Sequence, residues 1–202
     1  SIQILHCGRE GGVELDYCLM PSIVPQKLSY FKPPRVITPG EIKQAVRDHA
    51  DAARRAREAG FDMIELSGIV GYLISTFISR YTNKRTDEYG GEDIVDRCRL
   101  MVEVIGAVKA EAGDMPVGIR LCGHELLDDR GGNTFEESVE SFKIAERAGA
   151  DYLSVTVGWH ESSRSVITRD VPMGHWLYIA EAVKKAVDVP VMMAFRQFLP
   201  QI

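Results

Sequence analysis

Two residues that can transfer protons each follow a predicted strand. Tyr72 comes after the strand at 63–66, in the segment SGIVGYLI, and its phenol can donate a proton to a developing carbanion. His160 comes after the strand at 152–157, in the segment GWHE, and its imidazole can act as an acid or a base. The next residue, Glu161, is a carboxylate available to tune or orient that ring. For Tyr72 the structural alternative is a tyrosine packed under a loop, and for His160 it is a solvated histidine.

Two polar side chains lie inside predicted strands. Arg120 falls in the apolar strand 117–121, where a cation is costly to bury without a partner. Something anionic or electron-rich should face it, and the sequence leaves open a structural carboxylate, a cofactor ring carbonyl or a phosphate. Gln3, in the strand 2–5, poses the same question more weakly, because an amide can both donate to and accept from the edge of a heterocycle.

A charged, glycine-containing run, YTNKRTDEYGG, covers residues 81–91. Its mixture of charge and glycine is compatible with substrate binding or with a loop braced by its own hydrogen bonds. Of the two, the brace is the favoured interpretation.

These residues depend on a framework of short apolar strands. The predicted strands cover residues 2–5, 63–66, 117–121, 152–157 and 189–194. Four of them are nearly continuous in apolar residues rather than alternating, which is typical of parallel strands covered on both faces.

Helical segments alternate with the strands. The first begins after Thr38, where Glu41 completes a capping box, and it ends at Gly60. Thr134 and Glu137 form the same box at the start of the third. The predicted helices cover about residues 38–60, 94–112, 134–148 and 174–186. Repeated β-loop-α units predict an α/β fold with a parallel sheet and outer helices.

Loop lengths and glycine spacing favour a barrel over an open sheet. No G-x-G-x-x-G opens a helix directly after a strand, so the open dinucleotide-binding sheet is disfavoured. The long loops, 8–37 and 68–93, both follow strands. In a barrel the loops after the strands form the catalytic face, so the chemistry is expected there.

Composition excludes several classes of partner. The net charge of −5 arises from acidic and basic residues mixed along the helices, which leaves no basic stripe for nucleic acid. No apolar run approaches the roughly 18 residues of a membrane span, and no secretory leader is recognisable, so a cytoplasmic setting is expected. The cysteines match no zinc template and are interpreted as reduced thiols, without a metal site. They are Cys7, Cys18, Cys98 and Cys122.

Five segments together resemble the Old Yellow Enzyme group of FMN-dependent oxidoreductases, and within it the 2,4-dienoyl-CoA reductase type. They are QILHCGR at 3–9, AGFDMIELSGIVGYLI at 59–74, YTNKRTDEYGG at 81–91, IRL at 119–121 and GWHE at 158–161. The resemblance runs over essentially the whole chain. It implies that residues 1–202 are one partial FMN-binding TIM-barrel domain, a (β/α)8 barrel cut at both ends, with its third to seventh strands present.

The resemblance also implies roles for the residues above. Gln3 and Arg120 would contact the pyrimidine side of FMN, and the charge of Arg120 would stabilise the reduced ring. The implied reaction reduces the C=C bond of an unsaturated or dienoyl carbonyl compound or acyl thioester with hydride from NAD(P)H, while Tyr72 or His160 supplies the proton. Relatives of this type continue into segments that carry an iron-sulfur cluster and FAD, which would lie outside this chain. The first, second and eighth strands of the barrel would also be absent, and with them parts of the flavin site such as the phosphate contacts after the last strands. For that reason we expect this polypeptide alone to bind FMN poorly and to expose sheet edges.

One departure separates the chain from many members of the group. They place a His-x-x-His or His-x-x-Asn pair where Ser67 and Val70 stand, to hold the carbonyl oxygen of the substrate. The dienoyl-CoA reductase branch also lacks that pair, although it can carry a glutamate at the position of Val70. A degraded relative that only binds flavin, or a phosphate-binding lyase or isomerase on the same fold, stays an alternative.

Overall fold

The computed structural model describes residues 1–12, 14–26, 32–162 and 169–194. The expected chain end at Ile202 lies outside them. In the described residues the strands are β1 (Ile2–Ile4), β2 (Cys18–Met20), β3 (Pro34–Val36), β4 (Ile64–Gly68), β5 (Val117–Cys122), β6 (Tyr152–Thr156) and β7 (Val191–Met193). The helices are α1 (Pro39–Glu58), α2 (Leu73–Ile78), α3 (Ile94–Arg97), α4 (Arg99–Ala112), α5 (Phe135–Arg147) and α6 (Leu177–Ala186). Short 3-10 turns cover Gly8–Glu10 and Asp128–Arg130.

The predicted strands form one parallel sheet in the order β1-β4-β5-β6-β7. One row of paired residues crosses it, from Ile4 through Leu66 and Ile119 to Leu153, and all four are buried in the core. This row faces the helices, so the residues before and after it in each strand face the other side of the sheet. The sheet has β1 and β7 as its edges among the described residues.

The helix starts are determined by local sequence. Both predicted capping boxes are present, Thr38 with Glu41 and Thr134 with Glu137. The small buried residues of α1, such as Ala45, let it pack closely against α4. None of the described helices is long and apolar enough to cross a membrane.

Two predicted helix bounds are wrong. The segment 94–112 is two helices that meet at Cys98, whose ψ of −3° departs from the helical value. The final helix begins at Leu177 rather than near 174, because turns hydrogen-bonded from His175 to Pro172 and from Leu177 to Gly174 precede it.

The long loops after β1 and β4 contain structure that sequence patterns did not predict. The first holds the turn Gly8–Glu10 and the separate parallel pair β2-β3. The second holds α2, all of whose residues are buried. A helix of six residues that is buried all round has no amphipathic period to detect.

The run 81–91 is hydrogen-bonded to itself and to its neighbours. The side-chain amide of Asn83 donates to the carbonyls of Phe77 and Tyr89, at 2.7 and 2.8 Å. Arg85 donates to the carbonyl of Ile37 at 2.9 Å. These bonds agree with the interpretation of the run as a brace.

Candidate active site

The segments that follow β4 and β6 meet beyond the end of β5. Val70 pairs with Trp159 in an isolated parallel bridge, although β5 separates the two parent strands in the sheet. The backbone N–H of His160 also points at the carbonyl of Val70, at 3.5 Å. The bridge brings the two loops with predicted proton donors to one place.

The rings of Tyr72 and His160 are in contact. Their centroids are 5.8 Å apart and the rings are nearly perpendicular, at 88°. Tyr72 is half-buried at the residue that precedes α2, whereas 41% of the His160 side chain is exposed. The structure therefore brings into contact the two residues that the sequence analysis named as candidate proton donors.

The turn that presents Tyr72 is internally hydrogen-bonded. The Ser75 hydroxyl accepts from the N–H of Gly71 at 3.0 Å and lies 2.8 Å from the carbonyl of Ile69, to which it donates. Val70 occupies the left-handed region, with φ of 49°. That conformation is costly for a β-branched residue, so strain is stored beside the candidate site.

Glu161 does not orient His160, contrary to the expectation from sequence. Its carboxylate is fully buried, with one oxygen paired to Arg9 and the other 2.7 Å from Arg130. The Arg9 guanidinium also lies 5.3 Å from the Trp159 ring centroid. The adjacent residues His160 and Glu161 thus point in different directions. His160 is partly exposed, whereas Glu161 ties the loop to the buried arginine Arg9 and to Arg130.

Another carboxylate, that of Glu10, lies beside His160. Glu10 Oε2 is 3.9 Å from His160 Nδ1, and only 12% of the Glu10 side chain is exposed. Burial raises the pKa of the Glu10 carboxyl above its ordinary value, against the opposing effects of Arg9 and His160. Sequence reasoning missed Glu10, for which the one available signal was its place in the loop after the first strand.

A polar patch lies on the side of the sheet away from the helices. Ser67, Arg120 and Ser154 are paired across β4, β5 and β6, near the carboxyl ends of these strands. Ser67 Oγ and Arg120 Nε are buried without a hydrogen-bond partner among the described residues. In the part of the chain that the structure describes, Arg120 also makes no ion pair, so the structural carboxylate that the sequence left open is not found there.

Gln3 lies on the same side of the sheet but in the neighbouring row. It is aligned with Glu65, and its side-chain amide donates to that carboxylate at 2.6 Å. Gln3 and Arg120 therefore face one space from strands that β4 separates.

Comparison with known proteins places the chain in a family. The model of the NADH:flavin oxidoreductase / NADH oxidase family matches residues 1–198. The chain belongs to this family. The sheet of alternating strands and helices is accordingly part of the family's TIM barrel.

Three relatives illustrate the extent of the match. A metal reductase of Desulforamulus reducens is 39% identical over 90% of this chain and 27% of its own length. An NADH oxidase of Thermoanaerobacter brockii is 38% identical over 95% of this chain and 30% of its own. A solved structure of a 2-naphthoyl-CoA reductase with 2-naphthoyl-CoA superposes with a TM-score of 0.91 at 36% identity, covering 98% of this chain and 32% of that one. The chain spans about a third or less of the length of these relatives.

Proposed function

We propose that this chain supplies part of the FMN site and the proton donors of an NAD(P)H-dependent ene-reductase. The observation that carries the proposal is the contact between Tyr72 and His160 on the loops after β4 and β6. Two groups able to give up a proton meet there, at the end of the barrel where enzymes of this fold hold their substrates.

The polar patch of the sheet fits the pyrimidine edge of FMN. Arg120 Nε and Ser67 Oγ are buried and lack partners among the described residues, so they are free to bond to ring oxygens and nitrogens. The Gln3 amide, now on Glu65, could exchange that bond for one to the ring. Bound FMN would supply the hydride chemistry, taking hydride from NAD(P)H and giving it to a conjugated carbon.

The residues of this chain would complete the reduction with a proton. Hydride addition to a conjugated C=C bond leaves an electron pair on the neighbouring carbon or the enolate oxygen, which a nearby acid must protonate. Tyr72 and His160 are our candidates for that step, because they are in contact on the loops after β4 and β6 and because Ser67 and Val70 stand where a histidine pair would hold the substrate carbonyl. Separate measurements on Tyr72→Phe and His160→Ala decide which of the two residues donates the proton.

We infer that the substrate is an α,β-unsaturated or dienoyl carbonyl compound, most favourably an acyl thioester. The 36% identity with a 2-naphthoyl-CoA reductase supports the thioester. Two features of the site agree with it, namely the missing histidine pair at Ser67 and Val70 and the Tyr72–His160 contact in its place.

The test uses the whole protein that contains this chain. Its flavin absorbance and its NAD(P)H-driven reduction of an enoyl thioester and an enone are measured for the wild type, Tyr72→Phe and His160→Ala. Each variant should lose about 100-fold or more in kcat and keep its flavin, since a general acid contributes about 10²- to 10⁴-fold. Tyr178→Phe, an exposed tyrosine on α6, is the matched control and should retain activity.

Two outcomes would contradict the proposal. Unchanged turnover in both variants would mean that neither Tyr72 nor His160 donates the proton. Flavin reduction by NAD(P)H without turnover of any unsaturated substrate would instead favour a relative that has lost the reaction and kept the cofactor.

A further inference from the structure

We infer that Glu10 is a positioning residue that holds the imidazole of His160 in the orientation needed for proton transfer. The inference rests on the proposed function, and it adds a residue that neither the sequence motifs nor the family match assigns.

The backbone delivers Glu10 to this place. The turn Gly8–Glu10 follows β1 and docks on the start of α2, where the N–H of Leu73 donates to the carbonyl of His6 at 3.1 Å. A Cβ at Gly8 would lie 2.6 Å from the Leu73 nitrogen, so the close approach depends on glycine. A Cβ at Gly71 would likewise lie 3.0 Å from Glu10 Oε1. Two glycines thus leave room for the carboxylate against the turn that presents Tyr72.

The two carboxylate oxygens of Glu10 face different groups. The ionisable groups that face it are Arg9, Glu161 and His160. Arg9 is paired with Glu161 and also forms an ion pair with Glu10, in which its Nε lies 3.8 Å from Oε1 and neither atom makes a hydrogen bond among the described residues. Arg130 is paired with the other oxygen of Glu161, at 2.7 Å. The second oxygen of Glu10, Oε2, faces the His160 Nδ1 at 3.9 Å.

This pairing has a chemical consequence for the imidazole. The separation of 3.9 Å is longer than a hydrogen bond. On closing to hydrogen-bond distance, a carboxylate beside Nδ1 accepts the hydrogen of that nitrogen, fixes the orientation of the ring and leaves Nε2 for exchange with a substrate. Because Tyr72 packs at right angles to the same ring, a rotation of His160 would also change the position of its contact with the phenol. Glu10 thereby constrains both groups without touching the substrate.

The experiment compares Glu10→Gln with Glu14→Gln in the whole protein. Glu14 lies on the same loop, is exposed and undergoes the same chemical change, so it is the matched control. Steady-state kinetics should show kcat reduced about 10- to 100-fold in Glu10→Gln with KM within about twofold, because orienting partners of histidines at metal sites are worth that much. Glu14→Gln should match the wild type.

A second readout does not depend on turnover. The rate at which diethyl pyrocarbonate modifies His160 is followed against pH by mass spectrometry of its peptide. Loss of the neighbouring charge in Glu10→Gln should move the midpoint of that reaction to lower pH, and Glu14→Gln should leave it in place. An unmoved midpoint together with unchanged kcat overturns the inference.

Failures of the two proposals can be told apart. If Tyr72→Phe and His160→Ala keep full turnover while Glu10→Gln still shifts the modification midpoint, the proposed function fails and the coupling of Glu10 to His160 stands. If Glu10→Gln does not fold, Glu10→Asp is measured in its place. It keeps the negative charge but shortens the side chain by one methylene, which moves the carboxylate away from His160. A wild-type kcat and midpoint in Glu10→Asp would then overturn the inference, and a smaller change in the same direction would support it.

Discussion

Glu125 links the pH of the solution to the loop that carries His160. Its side chain is fully buried, and one carboxylate oxygen accepts from the Ser79 hydroxyl at 3.0 Å and from the Asn133 N–H at 2.8 Å. Its own backbone carbonyl accepts from the hydroxyl of Ser162 at 2.9 Å, and that hydroxyl accepts from the N–H of Trp159 at 2.6 Å. Glu125 is therefore hydrogen-bonded to the segment that carries His160, and ionisation of its buried carboxyl would destabilise the structure next to that segment.

The magnitude follows from the pKa. Burial raises the pKa of Glu125 from 4.5 to about 7, and Glu137 adds to the rise, while the two hydrogen bonds and Arg97 oppose it. A carboxyl whose pKa is raised by folding stabilises the protein fully below its unfolded value and loses that contribution as pH rises through the folded value. Between pH 4.5 and pH 8 the loss should be about 3 kcal/mol, at 1.36 kcal/mol per pKa unit.

The substitution Glu125→Gln isolates this contribution. The amide keeps an oxygen for Ser79 and Asn133 but cannot ionise. Urea unfolding of the wild type and the variant is measured at a series of pH values between 4.5 and 8. The difference in free energy of unfolding should change by about 3 kcal/mol in favour of the variant as pH rises.

The contributions of the other titrating groups to the free energy of unfolding cancel when Glu125→Gln is compared with the wild type at the same pH. Glu136→Gln, an exposed glutamate on α5, is the control and should track the wild type at every pH. Parallel curves for Glu125→Gln and the wild type would refute the reasoning, because they would mean that Glu125 ionises in the folded state without cost.

The remaining predictions concern the backbone of the candidate site. Val70→Asn should raise the free energy of unfolding by about 1 kcal/mol, because asparagine tolerates the left-handed conformation that Val70 holds at φ of 49°. An unchanged or lower urea midpoint would contradict this. Gly8→Ala should lower the free energy of unfolding by more than about 1 kcal/mol, because φ is 57° and the new methyl group would meet the Leu73 backbone. Gly12→Ala, with nothing within 4 Å of the new atom, is its control, and equal unfolding curves for the two variants would count against the close contact.

The framework of the fold was accessible from sequence because its signals are local. Short apolar runs predicted every strand of the main sheet in the described residues, and the capping boxes of Thr38 and Thr134 predicted two helix starts. Both signals can be detected in a short stretch of sequence, because an apolar run is typical of a parallel strand and a capping residue bonds to the backbone three residues further on. The short buried α2 was missed, since six residues buried on every side leave no period.

The site depended on contacts between distant segments. The sequence supplied Tyr72 and His160 as groups with suitable chemistry, but their contact requires the bridge between Val70 and Trp159 past the end of β5. The sequence pointed to Glu161 as the carboxylate for His160 because the two are adjacent. The tertiary structure assigned that place to Glu10, because Glu161 turns inward to two arginines and the turn after β1 docks beside the exposed imidazole. Adjacency in sequence does not determine which way a side chain points in a turn, whereas sheet register and the docking of loops do.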